Sequence, residues 1–119
     1  MNVQRLNAVL IDSSDAWRLV AFYRDKVGLP LEEDRHGSEP HWACFLGGLH
    51  FAIHQKEGLQ SLPRNTAISF AVADVDEAIA DLKRGGVVIE IEPQTRPFGR
   101  LAALRDPDGN LIYVHQYES

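Results

Sequence analysis

Apolar and polar positions along the chain follow two rhythms, and the pair occurs twice in the same order. Residues 8–15 (AVLIDSSD) and 67–74 (AISFAVAD) each alternate like a half-buried strand and end in a helix-capping residue. At an offset of 59, Ala8 falls on Ala67 and Asp15 on Asp74. Beyond Asp74, Val75, Ala78, Ile79 and Leu82 recur at i, i+3, i+4 and i+7, the stripe of an amphipathic helix. Asp74 and Glu77 make a capping-box-like start, Lys83 and Arg84 fall in the last turn, and Gly85-Gly86 stops it. Beyond Asp15, Ala16, Leu19, Val20, Tyr23 and Val27 form the matching stripe, which Gly28 and Pro30 end. Three short extended segments follow each helix: Leu31–Arg35, His41–Leu46 and Leu49–Gln55, then Val87–Glu92, Arg100–Arg105 and Leu111–Gln116. DPDGN (106–110) joins the last two as a hairpin.

The pattern is βαβββ, written twice. A half of about 59 residues buries too little apolar surface to be secure alone. The expected fold is therefore α+β: two tandem βαβββ modules forming one pseudo-symmetric curved mixed sheet. Helices cover its outer face, and the opposite face encloses a cleft. Solenoids with repeats of this length need three or more copies, so two copies favour one domain over residues 1–119. Its modules run from about 1 to 58 and from about 64 to 119.

Composition narrows the partners. Against 12 Lys and Arg stand 17 Asp and Glu, and no basic cluster occurs, so neither nucleic acid nor an anionic membrane is expected. The lone cysteine, Cys44, rules out an internal disulfide and fits a reducing compartment. MNVQRLNAVLID lacks the successive regions of a secretion signal, and no apolar run approaches the roughly 20 residues of a membrane span. A cytoplasmic protein is expected.

Two histidines in HFAIH (50–54) raise the question of a metal site. On a strand, His50 and His54 share a face but stand about 13 Å apart at Cα, too far for easy joint chelation. Strand parity puts Ala52 on that face, and within their own strands it groups Ala8, Leu10 and Asp12 on one side, and His41, Ala43 and Phe45 on one side. In the second half it selects Ser69 and Ala71, then Leu101, Ala103 and Arg105, then Leu111, Tyr113 and His115. The reverse parity puts Trp42, Cys44 and Leu46 in the core.

At this point the residues resemble a known family. RLNAVLIDSSDAWRLVAFYRDKVGLPLE looks like the opening module of the vicinal oxygen chelate superfamily, which includes glyoxalases, bleomycin-binding proteins, fosfomycin-resistance enzymes and extradiol dioxygenases. AISFAVADVDEAIADLKRGGVVI, PFGR and RDPDGNLIYV resemble its second module. In metal-dependent members the resemblance implies ligands on the first and last strand of each module. Those positions read Ala8, Ala52, Ala67 and Tyr113 here, and by resemblance they mark the strand sides grouped above as the ones that face the cleft. Alanine has no donor atom and tyrosine is an uncommon ligand for such ions, so no cofactor is expected and the family metal centre is read as lost. The resemblance also implies a homodimer, to which Trp17 or Trp42 would contribute.

The small residues at these positions would leave volume for a ligand, with polar groups at the margins to orient it. Alternatively, they simply allow large neighbours to fill the space. Candidate ligand contacts are His41, Phe45, His50, His54, Ser69, Arg105, Tyr113 and His115. His50, His115 and Tyr113 are also the candidates for acid–base chemistry. Each has a plainer role: half-exposed imidazoles bonded to backbone, Tyr113 plugging the vacated metal position, and Arg105 paired with Asp106 or Asp108. Cys44 reads as a structural thiol. Arg96, Phe98 and Arg100 flank the PFG loop, near the cleft mouth by resemblance, and a solvated loop is the competing reading. Three functions compete on this basis. A metal-independent binder of a small, partly apolar organic molecule is preferred. A lyase, isomerase or dioxygenase-like enzyme, metal-free or with displaced ligands, comes second, and an interaction module with a vestigial cleft third.

Overall fold

A computed structural model describes residues 1–34, 40–58, 67–97 and 99–117. The chain divides into two compact units, Met1–Ser61 and Leu62–Ser119. The first contains β1 (Ala8–Ser13), α1 (Ala16–Ala21) running on into a π-helical segment (Phe22–Val27), β2 (Glu32–Asp34), β3 (His41–Leu46) and β4 (Leu49–Gln55). The second contains β5 (Ala67–Ala71), α2 (Val75–Arg84), β6 (Ile89–Arg96), β7 (Gly99–Arg105) and β8 (Leu111–Tyr117). Strand order is β1-β4-β3-β2 in one unit and β5-β8-β7-β6 in the other. In each, the first strand runs parallel to the last and the other pairs are antiparallel. The two-fold βαβββ pattern of the sequence is the fold that forms.

Each helix is anchored as its sequence predicts. Asp15 Oδ1 accepts from the Arg18 amide and Asp74 Oδ1 from the Glu77 amide. The apolar stripe of α1 buries Ala16, Leu19, Val20 and Tyr23 completely, and Tyr23 meets Phe51 of β4 at 5.2 Å between ring centroids. In α2, Val75, Ile79 and Leu82 are buried. The helix-facing sides of the sheets supply Ile11, Trp42, Cys44, Phe51 and Ile53 in one unit and Ala102, Leu104, Ile112 and Val114 in the other. Burial pushes the Cys44 thiol up, consistent with its structural reading.

Several boundaries and placements differ from the sequence reading; β7 starts one residue early at Gly99 and β8 runs one residue on to Tyr117. The first helix widens into π geometry at Phe22. The Gly28 amide then reaches back five residues to the Tyr23 carbonyl, and Leu29 N–H joins it at 2.9 Å. The wider turn moves Val27 off the buried stripe, and Leu29 packs inside instead. Strand β2 starts at Glu32 rather than Leu31, and Arg35 lies outside the described residues. Strand β6 starts at Ile89 rather than Val87 and runs past Glu92 to Arg96; its register slips on both sides of Ile91, so Pro93 falls in an irregular stretch where its missing N–H costs no regular ladder bond. Trp42, proposed for an interface, is only 1% exposed and meets the edge of Trp17 at 4.7 Å, so it is a core residue.

One device recurs in both units without a sequence signal. The Ala16 amide, first of α1, donates to Gln55 Oε1 at 2.9 Å, and the Val75 amide, first of α2, donates to Gln116 Oε1 at 2.9 Å. A side chain from the last strand thus satisfies a helix-terminal donor that α-helical bonding leaves open. Gln116→Ala should lower stability by roughly 0.5–2 kcal/mol in urea denaturation, in the range of a lost helix cap. Gln116→Glu should recover most of it, because a carboxylate still accepts and suits a helix N-terminus. Gln55→Glu should not, since Gln55 Nε2 also donates to the Ser14 carbonyl and to Glu57. Equal losses for both glutamate variants would refute this reading.

Candidate functional site

The candidate residues lie on the sheet faces turned away from the helices, and cross-strand register sorts them into rows. In the first unit, one row runs Asp12–His54–His41–Asp34 across β1, β4, β3 and β2. The next runs Leu10–Ala52–Ala43–Glu32, and a third Ala8–His50–Phe45. The structure therefore brings His41, Phe45, His50 and His54 together, as parity predicts. His41 stacks on His54 with ring centroids 4.9 Å apart and planes 14° from parallel. Phe45 stacks on His50 at 5.0 Å and 27°. Both pairs follow from the hydrogen-bond phase of the hairpin. Gln55 N–H donates to the Pro40 carbonyl, so the next pair inward, His41 with His54, is a narrow, non-hydrogen-bonded pair. Phe45 with His50 falls in the same phase. These imidazoles thus meet rings across the strand, not the backbone bonding that the plainer reading gave them.

Two acidic neighbours complete the first row. Asp34 Oδ2 lies 3.4 Å from His41 Nε2, and Asp12 Oδ2 lies 3.9 Å from Lys56 Nζ. The sequence reading named Asp12 on this face but missed Asp34. Extending the alternation of β3 to the neighbouring short strand would have found it.

In the second unit, Ser69 lies opposite Tyr113, Ala71 opposite His115, and Ala103 opposite Tyr113 on its other side. Leu101 follows beside His115, and Arg105 beside Leu111. Ser69, Arg105, Tyr113 and His115 therefore share one face, and the His115 ring lies 4.0 Å from that of Tyr117. Arg105 is committed differently from expectation. Its guanidinium donates to Glu90 at 3.1 Å and to the Gly109 carbonyl at 3.1 Å, reaching the neighbouring strand rather than Asp106 or Asp108. Arg100 sits on the helix side, where it makes two hydrogen bonds to Asp76, at 2.7 and 2.8 Å. That bidentate contact holds the Asp76 carboxyl below its usual range and removes Arg100 from the candidate site. Arg96 donates to Gln94, and Phe98 lies outside the described residues.

The four positions at which the resemblance places metal ligands keep one geometric relation in both units. Ala8 pairs with His50, two residues before Ala52, and Ala67 pairs with Leu111, two residues before Tyr113. Each couple is thus a diagonal neighbour across a parallel strand pair. Three methyl groups and one phenol do not fit a divalent ion that needs oxygen or nitrogen donors. The volume expected above the small residues is not uniform either. Ala52 and Ala103 are fully buried, so at these two positions neighbours fill the space. Leu10 and Phe45, at 61% and 71% exposure, remain open apolar surface.

Comparison with known proteins agrees with the fold and its duplication. The uncharacterized protein YraH of Bacillus subtilis (strain 168) is 30% identical over 118 residues, covering 87% of this chain and 91% of its own. The crystal structure of TnmS3, an antibiotic binding protein from Streptomyces sp. CB03234, superposes with a TM-score of 0.78 at 26% identity over 99% of both chains. Lactoylglutathione lyase from Agrobacterium tumefaciens shares the fold at a TM-score of 0.71 and 20% identity, covering 98% of this chain and 96% of that one. The model of the Glyoxalase/Bleomycin resistance protein/Dioxygenase superfamily matches residues 5–114. The chain belongs to that superfamily.

Proposed function

We propose that this protein binds a small organic molecule on the helix-free faces of its sheets, without a divalent ion at the family ligand positions. The observation that carries this is the donor set: alanine at three of the four positions and tyrosine at the fourth. A protein that keeps the fold but lacks the ligands retains the scaffold for binding and lacks the means for metal-centred chemistry there. The similarity to an antibiotic binding protein supports the same reading. Apolar surface at Leu10 and Phe45 beside stacked imidazoles offers contact area with hydrogen-bonding groups at hand, which suits a partly apolar ligand. A homodimer in the cytoplasm belongs to this proposal, on the resemblance and the composition. Among the described residues no helix is long and apolar enough to cross a membrane.

A second reading is a metal-free lyase or isomerase. It draws on the Asp34–His41 contact, since a carboxylate beside an imidazole is the arrangement by which a general base is oriented.

The test is binding of a metabolite and antibiotic panel by calorimetry in the presence of chelator. At least one compound should bind in chelator, and Phe45→Ala should weaken it about tenfold or more, as for an aromatic anchor, without lowering the melting temperature. Chemical conversion of a bound compound, lost in His41→Asn, would replace binding by the second reading. Affinity that vanishes in chelator and returns with added metal, in a chain lacking His41 and His54, would overturn the metal-free claim.

A further inference from the structure

We infer that His41 and His54 form a chelating pair for a borderline divalent transition ion of the Zn²⁺, Ni²⁺ or Cu²⁺ type. This pair is separate from the four family ligand positions. His54 lies two residues along β4 from Ala52, about 6.6 Å further on, and neither imidazole occupies a family position.

The inference starts from strand geometry. His50 and His54 are four residues apart on one strand and too distant to share an ion. His41 and His54 face each other across a narrow antiparallel pair, where Cα atoms stand about 4.5 Å apart and side chains come closest. Their rings are already side by side at 4.9 Å and nearly parallel. The parallel stack points the two sets of ring lone pairs alongside each other, so chelation requires both rings to turn about χ2 until one nitrogen of each faces a common ion, for which imidazole is a favoured donor at roughly 2.0–2.1 Å.

The flanking acids fit the same chemistry. A ligating imidazole ordinarily gives its other ring nitrogen to a carboxylate, which fixes the ring and raises its basicity. Asp34 Oδ2 stands 3.4 Å from His41 Nε2 and is the carboxylate placed to take that nitrogen when Nδ1 turns to the ion. Asp12, in register with His54 on the far side, has Lys56 Nζ 3.9 Å away, so Asp34 is the carboxylate the pair draws on. Among the described residues no group of three or more His, Cys, Asp or Glu side chains is already gathered to hold an ion. The chelate is accordingly two-coordinate from the protein, and water fills the remaining positions. His50 provides an internal contrast. It has the same cross-strand stacking, but its partner Phe45 carries no lone pair.

Calorimetric titration of the untagged full chain with Zn²⁺ or Ni²⁺ tests this. One ion per chain should bind, Cu²⁺ more tightly than either, and Mg²⁺ and Ca²⁺ not at all. His41→Ala and His54→Ala should each weaken binding about 100-fold or more, because the second attachment is intramolecular. Asp34→Asn should weaken it about 10- to 100-fold, and His50→Ala should leave it unchanged. His54→Gln serves as the alternative if His54→Ala loses its cooperative unfolding. The inference is overturned if the wild-type chain takes up no Zn²⁺ or Ni²⁺, or if His50→Ala reduces uptake as much as His54→Ala. Organic-ligand binding measured in chelator does not depend on an ion at this pair, so either proposal can fail while the other stands.

Discussion

Replacing Gly99 by alanine is expected to lower stability by roughly 3 kcal/mol, the upper end of the cost of a strained backbone position. Gly99 opens β7 with φ at +136°, a conformation side chains of L-residues rarely adopt. Its environment adds a second penalty. A Cβ built there would stand 2.3 Å from the Gln116 carbonyl oxygen and 3.1 Å from His115 Nε2. The backbone atom belongs to β8, paired with β7 along its whole length, so it cannot simply move aside. Displacing Gln116 would also disturb its hold on the first amide of α2. Gly86 makes the control. Its φ is +85° but nothing lies within 4 Å of an added Cβ, so Gly86→Ala should cost only the left-handed strain of about 1–2 kcal/mol. Urea denaturation of both variants checks this. Equal midpoints would show that the close approach to Gln116 carries no weight.

Asp106→Ala is expected to cost about as much, by a different route. Asp106 is 4% exposed, and its carboxylate organises the β7–β8 turn from within. Oδ1 accepts from the amides of Asp108 and Asn110, each at 2.9 Å, and Oδ2 from the Asn110 side chain at 2.7 Å. Alanine strands these donors where they are partly buried. Hydrogen bonds to a charged group contribute about 1.5–3 kcal/mol, and a loss of roughly 3 kcal/mol follows for the set. Asp106→Asn keeps one acceptor oxygen and the shape, so its loss should be about half as large. The two variants are compared by denaturation, with amide exchange at Asn110 as the local readout. An unchanged exchange rate at Asn110 in Asp106→Ala would refute the role assigned to the carboxylate.

Much of the fold was legible because its signals are short-ranged. Alternation with period 2 assigned strand faces correctly in both halves, and Asp15 and Asp74 cap the helices their positions announced. Parity grouped residues within each strand, and the ligand positions implied by the resemblance put His41, Phe45, His50 and His54 on a shared face. What escaped depends on contacts between segments far apart in sequence. The register slip around Ile91, the pairing of Arg105 with Glu90 and the contact of Asp34 with His41 each require knowing which strand lies beside which. The π turn was hidden because Val27 fits an α-helical stripe as well as any apolar residue does. Trp42 received two places, the core by parity and a dimer surface by resemblance, and its 1% exposure puts it in the core.

The glutamine contacts at the helix starts bear on the order in which the chain becomes ordered during synthesis. Ala16 and Gln55 are 39 residues apart, and Val75 and Gln116 are 41 apart. Each helix therefore leaves the ribosome with its first amide unprotected and gains protection only when the last strand of its own half has emerged. The last of the four partners is Gln116, so the second half secures its helix only after that residue has emerged. A nascent chain stalled before residue 116 should accordingly exchange the Val75 amide rapidly while the Ala16 amide is already slow.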